Sequence, residues 1–68
     1  MDTFQIKGEY IELIKLIKAA GMASSGSDAK LLVSSGNVML NGKLEERLRA
    51  KVRVGDKVEL EGKVIVVS

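Results

Sequence analysis

The chain has 68 residues, room for one compact domain over residues 1–68 and no second one. It contains no Cys and no His, which excludes disulfides, thiolate or imidazole metal sites and the usual neutral-pH proton shuttle. Net charge is only +2 but unevenly spread: residues 1–14 carry −2, residues 15–53 carry +5 and residues 54–68 carry −1. A basic central stretch of this kind is the footprint of a polyanion binder, or else one part of a mixed solvated surface. No apolar run is long enough to span a bilayer and no signal-peptide pattern opens the chain, so a cytoplasmic protein without a membrane partner is expected.

Thr3-Phe4-Gln5-Ile6 alternates polar and apolar, predicting a short opening strand that Lys7-Gly8 breaks. From Glu9 the spacing of Tyr10, Leu13, Ile14 and Ile17 is that of one helical face. Glu9 and Glu12 near its start and Lys15 and Lys18 near its end complement the helix dipole, and Gly21 suits a left-handed C-terminal residue. Phe4 and Tyr10 read as core positions, which leaves no aromatic platform for stacking single-stranded bases.

After a loop of small residues, Ser25 and Asp28 resemble a capping box, opening a second helix with Ala29, Leu32 and Val33 inward. Ser27, Lys30 and Ser34 fall on another face, and Gly36 ends the helix. Asn37–Leu40 is a strand candidate, and Asn41-Gly42 is the strongest hairpin signal in the chain. Leu48, Ala50, Val52 and Val54 then alternate with Arg47, Arg49, Lys51 and Arg53; an extended backbone would set four cations on one face. Turns at Gly55-Asp56 and Glu61-Gly62 bound two further strands, the last running through Lys63–Val67. The expected class is α+β, two helices packed on a small antiparallel sheet.

Several motifs have catalytic spellings with little behind them. Gly21 and Gly26 have the separation of a phosphate-binding loop, but Ser27 stands where the Lys should follow. Ser27-Asp28-Ala29-Lys30 spells S-x-x-K without its companion motifs, and adjacent Glu45 and Glu46 read as solvated charges. Ser24, Ser25 and Ser27 surround a helix N-terminus, with Lys30 one turn on; this suits either capping alone or an anion. The basic series, with Lys43, Lys30 and Lys18 beside it, suits phosphates of double-stranded or folded RNA read by shape.

Taken in order, Glu9, Leu13, Leu16-Ile17-Lys18, Gly21, Ser25-Gly26-Ser27-Asp28-Ala29-Lys30, Gly36-Asn37-Val38, Leu40-Asn41-Gly42, Glu45, Arg47, Lys51, Gly55-Asp56 and Val58 resemble a known family. It is the RNA-binding domain named after ribosomal small-subunit protein S-four, also called the alpha-L motif, and within it the stand-alone bacterial group labelled YbcJ/YaaA-like. The resemblance runs from about Phe4 to Val58 and is densest from the second helix through the hairpin. It implies a two-helix, small-sheet module that docks on folded RNA, with Ser25, Lys30, Asn41, Lys43, Arg47 and Lys51 at the matching positions. Two departures stand out. Gly26 stands where many members of the wider family carry Arg after the Ser of helix two, although the stand-alone group also uses Gly there, and Leu48 interrupts a denser Arg-Arg run, for which Arg49 compensates from the same side.

The resulting expectation is a monomeric, non-catalytic binder of structured RNA, ribosomal RNA or a ribosomal subunit foremost, with no cofactor or metal. Its contact residues are Ser25, Ser27, Lys30, Asn41, Lys43, Arg47, Arg49 and Lys51. The alternative is a protein-interaction adaptor using the same surface or an exposed sheet edge near Val64–Val67.

Overall fold

The computed structural model describes residues 2–68. In chain order the elements are β1 (Asp2–Phe4), β2 (Ile11–Glu12), α1 (Leu13–Ala19), α2 (Gly26–Ser34), β3 (Val38–Leu40), β4 (Lys43–Leu44), β5 (Lys51–Val52), β6 (Lys57–Leu60) and β7 (Lys63–Val67). Five strands form one sheet in the order β1-β7-β6-β3-β4, and β2 and β5 form a separate two-stranded ribbon. Every pairing is antiparallel except that of β1 with β7, where Asp2, Thr3 and Phe4 run beside Ile65, Val66 and Val67.

The core follows from two periodicities. Leu13, Leu16 and Ile17 on α1 and Ala29 and Val33 on α2 are spaced three and four apart and are all fully buried. Val58 and Leu60 on β6, and Ile65 and Val67 on β7, alternate with more exposed neighbours, and Val38, Ala50 and Val52 complete the buried set. Both helices end in the same device. Gly21 (φ +75°) and Gly36 (φ +81°) take the left-handed conformation, and their N–H groups donate to Lys18 and Val33. The next residues, Met22 and Asn37, donate to Ile17 and Leu32, which completes a Schellman motif at each end. The two tight hairpins also share a geometry. Asn41-Gly42 (φ 53°, 81°) and Glu61-Gly62 (φ 50°, 81°) place both central residues at positive φ, the twist that suits a two-residue connection.

Four expectations need correction. The first helix begins at Leu13, not Glu9, because Ile11 and Glu12 pair with Val52 and Lys51 as a strand. Tyr10 is consequently outside the core and 43 % exposed, whereas Phe4 does pack against the core. The stretch from Arg47 is not extended throughout: a turn at Leu48-Arg49 precedes β5, and Val54, expected to face inward, is exposed. Lastly, β7 is no free edge, since β1 and β6 flank it; the edges of the sheet are β1 and β4.

Candidate nucleic-acid interface

The site is built around the start of α1. An N-terminal helical turn leaves backbone N–H groups without helical acceptors. No side chain caps this one, although Glu12 occupies the cap position. Instead Leu13 N–H donates to the Ala50 carbonyl at 2.9 Å and Ile14 N–H to that of Leu48 at 3.2 Å. The irregular segment before β5 is thereby fastened across the helix start by its backbone. Ala50 is buried, Leu48 is half-buried, and the intervening Arg49 is left outside.

The β2–β5 ribbon continues that surface. Ile11 lies opposite Val52 and Glu12 opposite Lys51. Continuing the register sets Tyr10 opposite Arg53, so the period of two puts Tyr10, Glu12, Lys51 and Arg53 on one face. Val52 and Ile11 occupy the other face, against the core. Arg47, Arg49, Ala50, Lys51 and Arg53 line one open hollow. The Lys51 ammonium stands 5.0 Å from the centre of the Tyr10 ring, within cation–π range.

Two carboxylates attend these cations. Glu45 grips Arg47 through a fork: Arg47 Nε donates to Oε2 and Nη2 to Oε1, both at 3.1 Å, and the Arg47 backbone N–H also donates to Oε2. These hydrogen bonds hold the Glu45 carboxyl below its ordinary pKa and raise that of the guanidinium. The Glu45 side chain is only 13 % exposed while that of Arg47 is 81 % exposed, so Glu45 is not the freely solvated charge expected of it. Glu12 stands between Lys15 (3.5 Å) and Arg49 (4.0 Å).

Among the described residues, no group of three or more acidic side chains is placed to hold a metal ion, and no helix is long and apolar enough to cross a membrane. The cationic surface is what the fold presents.

The family model of the S4 domain matches residues 4–68. The chain belongs to that family. Among related S4 proteins, YbcJ of Escherichia coli (strain K12), named as a proposed RNA-binding protein, is 36 % identical over 63 residues, covering 91 % of this chain and 90 % of that protein. RlbA of Bacillus subtilis (strain 168), named for a proposed role in ribosome maturation, is 39 % identical over 61 residues, covering 90 % and 86 %. The solution structure of E. coli YbcJ superposes with a TM-score of 0.76 at 35 % identity, covering 98 % of this chain and 86 % of that one. That structure is described as having an alpha-L motif involved in RNA binding, and the helices and mainly antiparallel sheet of this S4 domain are the same architecture.

Of the residues singled out from the sequence, Arg47, Arg49 and Lys51 come together at the hollow, joined by Arg53. Ser27 and Lys30 on α2 and Lys43 on β4 are exposed but lie outside it. Ser25 caps α2: its Oγ accepts the Asp28 N–H at 3.1 Å. The reciprocal bond of the box is shifted by one residue, because Asp28 Oδ2 accepts from the N–H and hydroxyl of Ser24. Asn41 is engaged at both ends of its amide, donating from Nδ2 to Asp56 Oδ1 (3.0 Å) and accepting at Oδ1 from Lys57 N–H (2.9 Å). Sequence reasoning passed over Tyr10 and Glu12 at this surface. The period-two reading of Tyr10 through Glu12 would have found them, but the stronger helical spacing that continues to Ile17 masked it.

Proposed function

We propose that this S4 domain binds folded RNA, ribosomal RNA foremost, through the cationic hollow and performs no chemistry on it. The observation that carries the reading is the open hollow beside the β2–β5 ribbon, where four cations from one short segment, Arg47, Arg49, Lys51 and Arg53, converge. Guanidinium forks suit phosphate oxygens, and A-form RNA is met chiefly through its backbone and shape. The names given to YbcJ and RlbA support the same direction.

In this reading Arg49, Lys51 and Arg53 meet phosphates directly, and Arg47 exchanges its Glu45 partner for one. Lys30, Ser27 and Lys43 extend the contact at the periphery. Ser25 and Asn41, committed to Asp28 and to Asp56 and Lys57, hold the scaffold. The adaptor alternative loses its sheet edge, since β7 is flanked on both sides.

The test is recovery of crosslinked RNA from bacterial cells expressing wild type or an Arg49→Ala/Lys51→Ala/Arg53→Ala variant. Enrichment of ribosomal RNA by wild type and its loss in the variant is the expected result; equal recovery by both would overturn the assignment of the site. With purified RNA, four phosphate contacts give a log–log salt slope of about −3 to −4, and Arg49→Ala should reduce its magnitude by about one.

A further inference from the structure

Tyr10 belongs neither to the core nor to the phosphate contacts. It is a large ring, 43 % exposed, that the backbone turns outward while its neighbour Ile11 packs inward. Continuing the β2–β5 register sets it across from Arg53, and the Lys51 ammonium, one of the cations that line the hollow, stands 5.0 Å from the ring centre. The cation–π contact accounts for the place of the ring beside Lys51, and a half-exposed ring next to a cluster of cations also matches the two parts of a nucleotide. A phosphate held at the Lys51 ammonium would leave its attached base within one nucleotide's reach of the ring.

We propose that the Tyr10 ring is a nucleobase platform, stacking on one unpaired base of the folded RNA whose phosphates occupy the adjoining hollow. The inference rests on the RNA-binding reading above and narrows it. Bases inside a continuous A-form helix offer no free face, so the preferred ligand contains a bulged or otherwise unpaired nucleotide next to a paired segment. The selectivity is for the presence of an unpaired base, not for its identity, because every base has a π-face.

The chain has one Tyr and no Trp, so its intrinsic emission reports on Tyr10 alone. The experiment compares a fully paired RNA hairpin with the same hairpin carrying one bulged adenosine, following tyrosine fluorescence and affinity together. Wild type should bind the bulged hairpin about tenfold more tightly, within the range that base–aromatic stacking supplies, with its emission quenched at saturation. Tyr10→Phe should keep the preference, whereas Tyr10→Leu and Tyr10→Ala should abolish it without weakening binding to the paired hairpin. Equal binding of both hairpins by wild type, or unquenched emission with the bulged RNA saturating, would overturn the platform while leaving RNA binding intact. If neither hairpin binds wild type in a salt-dependent way, the RNA-binding reading fails and takes this one with it. The fluorescence result uses the unmodified chain, so it holds even if a Tyr10 variant folds poorly.

Discussion

Replacing Asn41 by Ala separates a residue that holds the fold from one that touches RNA. Its side chain makes two hydrogen bonds between the β3–β4 turn and the segment entering β6, to Asp56 Oδ1 at 3.0 Å and from Lys57 N–H at 2.9 Å. Each contributes about 0.5–1.5 kcal/mol, nearer the lower figure at an exposed turn. Asn41 also sits at φ 53°, where Ala costs roughly 1 kcal/mol more than a residue suited to the left-handed region. Asn41→Ala should therefore lose about 2–3 kcal/mol, a large share of the ~3–10 kcal/mol expected for a domain of this length. Asn41→Gly forfeits the same bonds without the torsional cost, so it should lose about 1 kcal/mol less. Urea unfolding followed by far-UV circular dichroism measures both, with the slope against urea unchanged and only the midpoint moving. If Asn41→Ala unfolds at the wild-type midpoint but binds RNA more weakly, the side chain is an RNA contact and its assignment as a clamp is wrong.

Other predictions draw on separate features. The Glu45 pKa is lowered in the folded state, so the stabilisation from its pairing with Arg47 is present above the unfolded value near 4.5 and disappears as pH falls through the lower folded value. The difference in unfolding midpoint between wild type and Glu45→Gln should accordingly be seen at pH 7 and vanish at strongly acidic pH; a difference that persists there would assign it to something other than ionisation. Two glycines make a matched pair for the same urea assay. At Gly36 an added Cβ meets Leu44 Cδ1 at 3.9 Å, an ordinary contact, so the cost of Gly36→Ala is torsional, about 1 kcal/mol at φ +81°. Gly26 opens α2 with nothing nearby and no positive φ, and Gly26→Ala should stabilise by about 0.4–1 kcal/mol. Equal effects of the two substitutions would contradict the conformational argument.

What could be read from the sequence was what is decided locally. Asn41-Gly42 makes its hairpin, and Gly21 and Gly36 end their helices and Ser25 caps α2 through partners at most five residues away. Most of the features that escaped reading depend on partners far along the chain. Ile11-Glu12 becomes a strand only because Lys51-Val52 arrives beside it, and two residues carry too little pattern to compete with a run of helical spacing. The start of α1 gave no sign of its acceptors, since carbonyls of Leu48 and Ala50 do what a Ser or Asp side chain would otherwise do. At the interface the alternation of Arg47, Arg49, Lys51 and Arg53 was legible. The carboxylates beside them were not: Glu45 reaches Arg47 within an irregular segment, and Glu12 reaches Arg49 from another element.

The parallel pairing of β1 with β7 bears on how the chain reaches this structure. The β6–β7 hairpin closes over two residues, whereas β1 finds its partner across a separation from Asp2 to Ile65. Each doubling of a closed loop costs about 0.6 kcal/mol, so the roughly thirtyfold longer connection carries ~3 kcal/mol more closure entropy than the hairpin. Native contacts of that range come late in folding, after local ones have reduced the search. β1 is thus expected to dock last and undock first. Deuterium should then enter the Ser68 amide, which donates to Phe4, sooner than the amides bridging β6 and β7.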